Sequence, residues 1–385
     1  MRVLIDYRPA LRARSGVGEY THRLVASLLR CYPPSSSNGG LELTIFSSSW
    51  KDRLLQTPEL HGAAAVDRRV PVSLLNFAWH RLEWPSAEML TGRHFDVTHS
   101  LHPLLLPSRQ AAQVVMIHDL DFLAHPERTQ AEIRRDYPHL VRDHARRASR
   151  IIVNSQFTAR EVERQLGVAG DRIAICPPGP PDWTARQGPS GEGYILFFGT
   201  LEPRKNVGGL LDAYERLIAD REARSERRPI PDLVLAGNAT EDARPWLERL
   251  TRSPLAGRAR HIGYVAPSDR QALYAGARLL VIPSFHEGFG MTVLEAMALG
   301  VPVVASNRGA LPELLGDAGP LVDPGDPAAI GAAIGRLLDD DGYAGACAAK
   351  GLQRAGQFNW DRTARLVYDV YVQAVEARKQ AARTR

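Results

Sequence analysis

Short apolar runs alternate with helical periodicity in two successive series, and this alternation constrains the fold more than any other feature of the chain. The first series holds the strand candidates RVLID at the start, LELTIFSS (41–48), FDVTHS (95–100), QVVMIHD (113–119) and RIIVNS (150–155). Helical patterns such as GEYTHRLVASLLR (18–30) and FTAREVERQLG (157–167) lie between them. The second series runs YILFFG (194–199), DLVLAG (232–237), ARHIGYV (259–265), RLLVIPS (278–284) and VPVVASN (301–307). Its helices include NVGGLLDAYERLIAD (206–220) and DRQALYAGA (269–277). Each series predicts a doubly wound α/β sheet.

Between the two lies CPPGPPDWTARQGPSGEG (176–193), dense in Pro and Gly and poor in apolar residues, the most linker-like stretch of the chain. The expected architecture is two Rossmann-like domains facing each other across a cleft. The first spans 1–180 and the second 190–358. A C-terminal helix and basic tail, 359–385, is expected to pack back on the first. The 385 residues allow two or three domains, and 44% hydrophobic with 24% charged residues suits packed cores. No apolar run approaches the ~20 residues that span a bilayer, and the N-terminus enters a strand without a signal-peptide pattern. Cys31, Cys176 and Cys347 lack metal-ligand or redox spacing, so a reducing cytoplasm is the expected location. The net charge of +5 fits a protein that handles phosphorylated ligands without demanding one.

The densest chemistry lies in SFHEGFGMTVLEAMALG, Ser284 to Gly300, at the carboxyl end of a strand, where open α/β sheets bind ligands. Gly288 and Gly290 let backbone approach a ligand closely and leave amides at a helix N-terminus free to donate to phosphate or sugar oxygens. Ionised Glu287 and Glu295 only accept hydrogen bonds, and hydroxyl groups are their natural partners. Donors for phosphate beside acceptors for polyols make a site shaped for a nucleotide sugar. Thr292 to Glu295 also has capping-box spacing, which would leave Glu295 a purely structural task. Phe289 and Met291 read as packing residues, although the Phe289 amide belongs to the donor-rich turn.

The Glu, seven residues, Glu arrangement, followed by GALPELLGDAGPLVDPGD, resembles the retaining glycosyltransferases of family 4, which have the GT-B fold. FGTLEPRKN (198–206) and SGVGEYTHRLVASLL (15–29) are similar as well, so the resemblance covers nearly the whole chain. The wording of GTLEPRKN is most similar to bacterial mannosyltransferases of polysaccharide assembly. The resemblance implies that Glu295 binds the donor ribose, that Glu287 sits by the transferred sugar, and that the amides of Gly288, Phe289 and Gly290 contact sugar and phosphate. It makes Lys205 the phosphate-binding lysine, with Gly16, Gly18 and Gly199 bringing backbone to the donor. His118 falls near the donor sugar, and Tyr264 and Val265 near the nucleobase. In much of the family an Arg follows the glycine of the strand matching YILFFG. Here Thr200 stands there, and Arg204 is the nearest cation to replace it.

Other readings compete at several of these positions. Lys205 could be a solvated surface lysine, and a lone histidine such as His118 at a strand end is often structural. GVGEYT could be half of a dinucleotide fingerprint, but Thr21 replaces its third glycine. Asp119-Leu-Asp121 spells a metal-binding DxD and is read instead as a turn, so no metal and no cofactor is expected. The arginine-rich helix RRDYPHLVRDHARRASR (134–150) suits a solvated face, acidic phospholipids or an acceptor diphosphate. The expected partners are a nucleotide-sugar donor and a glycan or lipid-linked acceptor, with peripheral contact to the acidic inner face of the membrane as a further option, and not nucleic acid. The expected reaction is hexosyl transfer from a sugar nucleotide, GDP-mannose before UDP-glucose or UDP-N-acetylglucosamine. A nucleotide-sugar epimerase ranks lower. A non-catalytic nucleotide-sugar or glycan-binding module is the rival from another class.

Overall fold

The computed structural model describes residues 1–11, 16–34, 40–55, 57–126, 131–188, 193–224 and 229–383. Ser15, residues 189–192 of the Pro/Gly-rich stretch, the side chains of 131–136, with Arg134 and Arg135 among them, and the last two residues of the basic tail lie outside the described residues. The chain forms two compact units, Met1–Gly179 with Asn359–Arg385, and Pro180–Phe358.

The first unit begins β1 (Arg2–Asp6), α1 (Val17–Cys31), β2 (Glu42–Ser48), β3 (Ala64–Arg68), α2 (Val72–Leu82) and α3 (Ala87–Thr91). It continues through β4 (Val97–Ser100), β5 (Ala112–Ile117), α4 (Asp121–Ala124), α5 (Ala131–Arg147), β6 (Arg150–Val153), α6 (Gln156–Leu166) and β7 (Ile173–Ile175). Among the described residues its seven strands pair in parallel in the order β3-β2-β1-β4-β5-β6-β7. The central strands β1, β4 and β5 are buried nearly throughout because helices cover both faces, and β4 buries the polar Thr98, His99 and Ser100 along with Val97. In α1, Tyr20, Leu24 and Leu28 recur every fourth residue and are buried. Each buried leucine contributes about 1.5–3 kcal/mol.

The second unit holds β8 (Tyr194–Phe198), α7 (Val207–Ala223), β9 (Leu233–Ala236), α8 (Arg244–Arg249), β10 (Ala259–His261), α9 (Pro267–Ala275) and β11 (Ala277–Ile282). It ends with α10 (Met291–Ala298), β12 (Val303–Ser306), α11 (Leu311–Leu315), β13 (Leu321–Val322), α12 (Pro327–Asp339) and α13 (Asp341–Ala355). Among the described residues six parallel strands run β10-β9-β8-β11-β12-β13. One core layer packs α7 and α12 against the sheet through Leu210, Tyr214, Ile330 and Ile334. The other packs α10 through Val293, Leu294 and Met297.

The last helix, α14 (Trp360–Arg383), belongs to the first unit. Its Tyr371 hydroxyl lies 2.7 Å from His99 Nδ1 in β4, Tyr368 stacks on Tyr32 at 4.0 Å, and Arg30 pairs with Asp361. A Cβ at Gly179 would stand 2.4 Å from the Trp360 nitrogen, so only glycine lets the chain pass the start of this helix. No helix among the described residues is long and apolar enough to cross a membrane.

The strand expected over 259–265 is shorter than its sequence suggests. Ile262 still pairs with β9 through its amide, but Gly263 takes φ 73, a left-handed conformation that ends the extended chain at His261. Tyr264 and Val265 therefore lie in the loop before α9.

Candidate active site

The two sheets share one topological property. In each, the strand order reverses once, between β1 and β4 in the first and between β8 and β11 in the second. The chain leaving such neighbouring strands diverges and opens a crevice at their carboxyl ends.

In the second unit this crevice gathers two turns. The turn after β8, Pro203–Lys205, closes at Asn206, whose φ of 56 is left-handed. The Asn206 Oδ1 caps α7 by accepting the Gly209 amide, and its Nδ2 donates to the carbonyls of Pro283 (3.1 Å) and Pro324 (2.7 Å). One side chain thus ties together the turns after β8, β11 and β13. The Phe285 amide also donates to the Arg204 carbonyl at 2.9 Å.

These ties bring together residues 82 positions apart in sequence. Lys205 Nζ lies 2.5 Å from Glu287 Oε1, and the Ser284 hydroxyl donates to the same oxygen at 2.8 Å. Arg204 reaches the other carboxylate oxygen at 3.7 Å, while its Nη1 donates to the His286 carbonyl at 3.1 Å and its Nε and Nη2 bond Glu202. Neither cation is a freely solvated surface charge: the two side chains are only 15% and 20% exposed. Burial would push the Glu287 carboxyl up. The charges of Lys205 and Arg204, with hydrogen bonds from Lys205 and Ser284, outweigh burial and hold it below the usual carboxylate value. The result is a buried cluster of two cations around one ionised carboxylate.

The Glu287 backbone is equally fixed. The Ala310 amide donates to its carbonyl at 2.9 Å, and a Cβ at Gly309 would stand 2.6 Å from that oxygen. Gly288, Phe289 and Gly290 are buried, and Gly290, at φ 106, is the N-cap of α10. The capping box weighed as the competing reading of Thr292 to Glu295 does not form, because the helix starts before Thr292. Glu295 is buried one turn further on and accepts from the Tyr274 hydroxyl at 2.7 Å. Burial, then the Glu295 charge, raises the Tyr274 phenol well above its ordinary value, so Tyr274 stays a donor. Gly199 lies beside the Lys205 stem, whose Cε would be 3.8 Å from a Cβ there. Thr200 is half-buried, Tyr264 is exposed, and Val265 sits in the core layer shared with Tyr274.

In the first unit, Gly16 (φ 51) is the N-cap of α1, and Gly18 packs that helix against the turn after β1, where a Cβ would be 2.7 Å from the Pro9 carbonyl. His118 follows β5. Its Nε2 lies 3.3 Å from the Leu101 carbonyl, and its ring meets Tyr20 edge-on at 5.1 Å. Burial pushes its pKa down to about 4 against the pull of Asp119, so the ring is neutral near pH 7 and donates from Nε2. Asp119 accepts the Asp121 amide at 3.2 Å, closing a turn at the start of α4. Two buried acceptors near this edge have no hydrogen-bond partner among the described residues: Glu19 Oε2 in the first turn of α1, and Asn154 Oδ1 after β6.

Several supporting residues were not singled out from the sequence: Asn206, Ser284, Tyr274, Gly309, Glu19 and Asn154. Asn206 carried the clearest signal, as the last residue of a motif already read for its lysine. The others act through partners far away in the chain.

Residues 14–180 match the sequence profile described as Glycosyltransferase Family 4, and residues 192–340 match that of the glycosyl transferases group 1. The chain is 32% identical, over 96% of its length and 99% of the relative's, to the O-antigen chain mannosyltransferase B of Escherichia coli. Among solved structures it is similar to the sucrose-phosphate synthase of Thermosynechococcus elongatus, with a TM-score of 0.74 at 19% identity, covering 98% of this chain and 100% of that one. It is also similar to Anabaena Alr3699/HepE in complex with UDP and glucose, with a TM-score of 0.70 at 16% identity, covering 96% and 98%.

Proposed function

Because the chain belongs to the family 4 glycosyltransferases, we propose that it moves mannose from GDP-mannose to a glycan or lipid-linked acceptor, with retention of anomeric configuration. The observation that carries this reading is the buried cluster of Lys205, Arg204 and Glu287 beside the N-terminus of α10. Two cations and a helix N-terminus suit a departing diphosphate, whose charge grows as the glycosidic bond breaks. An ionised Glu287 suits hydroxyl groups next to the reacting carbon, and Glu295 suits the ribose. The name of the 32% identical relative supports mannose.

In this mechanism the diphosphate leaves and the acceptor hydroxyl attacks from the same face. A donor phosphate oxygen takes the hydroxyl proton. The protein contributes position and fixed charge rather than a covalent nucleophile. Neutral His118 serves as a hydrogen-bond partner for substrate hydroxyls, not as a charge. Glu19 and Asn154, with unpartnered acceptor atoms, suit acceptor hydroxyls. A donor carrying UDP is the second reading, favoured by the fold likeness to a protein solved with UDP and glucose.

The test is transfer of labelled sugar from GDP-mannose, UDP-glucose and UDP-N-acetylglucosamine to a mixed acceptor pool in excess chelator. Label should move from GDP-mannose alone and survive the chelator, since Lys205 and Arg204 supply the positive charge. Transfer from a UDP sugar alone would replace the donor assignment. An activity restored only by manganese would return Asp119 and Asp121 to the centre. Binding of donor without any turnover would leave a non-catalytic module.

Glu295→Gln separates ligand binding from packing. It replaces the charge-assisted bond from Tyr274, typically ~1.5–3 kcal/mol, by a neutral one of ~0.5–1.5 kcal/mol, so the melting temperature should fall. Donor affinity, read by titration calorimetry, should fall with it. Unchanged affinity in a destabilised variant would make Glu295 purely structural.

A further inference from the structure

Two lines of aromatic contact run from α14 to His118. In the first, Trp360 meets Tyr20 of α1 at 5.3 Å, and Tyr20 meets the His118 ring edge-on at 5.1 Å. In the second, the Tyr371 hydroxyl lies 2.7 Å from His99 Nδ1, with the two rings 5.5 Å apart. His118 completes that line, since its charge is close enough to oppose protonation of His99. Trp360 and Tyr371 are about three helical turns apart and so leave one face of α14. Trp360, Tyr20, His99 and Tyr371 are all buried, whereas His118 is partly exposed. Of these rings, His118 is the one a substrate can reach.

Hydrogen bonding fixes what His118 offers. The Leu101 carbonyl only accepts, so His118 Nε2 carries the ring proton. Nδ1 is then a lone pair, without a partner among the described residues. The His118 carbonyl is held in turn by the Thr158 hydroxyl at 3.4 Å. His99 is fixed in the same way. Burial, then Cys176, raises the Tyr371 phenol well above its ordinary value, so it stays a donor to Nδ1 and leaves the His99 proton on Nε2. Burial, then the His118 charge, pushes the His99 pKa down to about 3, so both imidazoles are neutral near pH 7. Core packing needs none of this. Apolar rings would fill the same space, whereas His99 Nε2 is buried with no hydrogen-bond partner among the described residues, which destabilises the fold.

We propose that Tyr371 and Trp360 are positioning residues for the transfer reaction: acting through His99 and Tyr20, they hold the His118 ring so that its Nδ1 accepts a substrate hydroxyl. An acceptor fixed in place orients that hydroxyl, and a displacement of about 1 Å in such a group can cost about 100-fold in rate. The last helix, which follows the whole second unit in sequence, is in this way part of the machinery of the first. Both roles rest on the proposed one for His118, a partner for substrate hydroxyls, and not on the identity of the sugar donor.

Tyr371→Phe keeps the ring and removes only the hydroxyl. In labelled transfer from GDP-mannose to the mixed acceptor pool it should lower kcat about tenfold, with KM for the donor within a few-fold, although the buried Tyr371 touches no substrate. Trp360→Phe should act in the same direction through Tyr20. A double-mutant cycle with His118→Ala separates positioning from packing. In the His118→Ala background both substitutions should leave the remaining kcat unchanged, while their effects on melting temperature persist. Imidazole nitrogen NMR should find the wild-type His118 proton on Nε2, and a mixture of tautomers in Tyr371→Phe. Additive losses of kcat in either cycle, or wild-type kcat in either single variant, would overturn the proposal. Wild-type kcat in His118→Ala would overturn it as well, by taking His118 out of the reaction. Absence of transfer from GDP-mannose in the wild type is a separate failure, of the donor assignment, and UDP-glucose then takes its place in the same cycles.

Discussion

Glu287→Gln is expected to lower kcat by about 100- to 1000-fold, the usual scale for losing one electrostatic partner of a transition state, with KM for the donor changed only a few-fold. The substitution keeps the side-chain volume and one hydrogen-bonding oxygen but removes the charge that Lys205 and Arg204 surround. Two cations without their carboxylate would hold a diphosphate well and release it poorly, so ground-state binding should survive better than turnover. Loss of a partner from a buried ion pair also destabilises the fold, by as much as ~3–5 kcal/mol when no hydrogen bond remains, and the retained amide should keep the cost below that. Glu287→Asp restores the charge at a shorter reach and should recover part of kcat. Wild-type kcat in Glu287→Gln would remove Glu287 from the chemistry and leave it a structural tie to Lys205.

Both units were legible as alternating strands and helices because central parallel strands are buried on two faces, which writes them into the sequence as short apolar runs. β3, β7 and β13 were not singled out. β3 (AAVDR) is an edge strand with one exposed face, and β7 and β13 are three and two residues long, too short to show a pattern. The candidate site residues were read one at a time, through motifs local in sequence. That Lys205 and Glu287 touch was not, because their meeting depends on β8 and β11 being neighbours and on Asn206 joining the turns that follow them. The capping-box spacing of Thr292 and Glu295, the competing structural reading, goes unused because glycine at a left-handed φ also starts helices, and Gly290 takes the cap first.

Arg204→Ala should reduce turnover by about 10- to 1000-fold, and two causes contribute to that loss. The guanidinium stands 3.7 Å from Glu287 and adds a second positive charge where a diphosphate would leave; in sequence it is the cation nearest to Thr200, which stands where much of the family has an arginine. It also donates to the His286 carbonyl and so holds the chain that carries Glu287. Arg204→Lys separates these roles. A lysine keeps the charge but lacks the planar fork, which here bonds Glu202 and His286 together. If charge dominates, Arg204→Lys should recover most of the lost kcat, with salt weakening the recovery. If the clamp on the loop dominates, Arg204→Lys should resemble Arg204→Ala, and both should lower the melting temperature. Thr200→Ala should change little, since its hydroxyl brings no charge to the site. Near-normal kinetics in Arg204→Ala would leave Lys205 and the amides at the start of α10 to stabilise the leaving group alone, and the substitution of Arg204 for the missing arginine would be wrong.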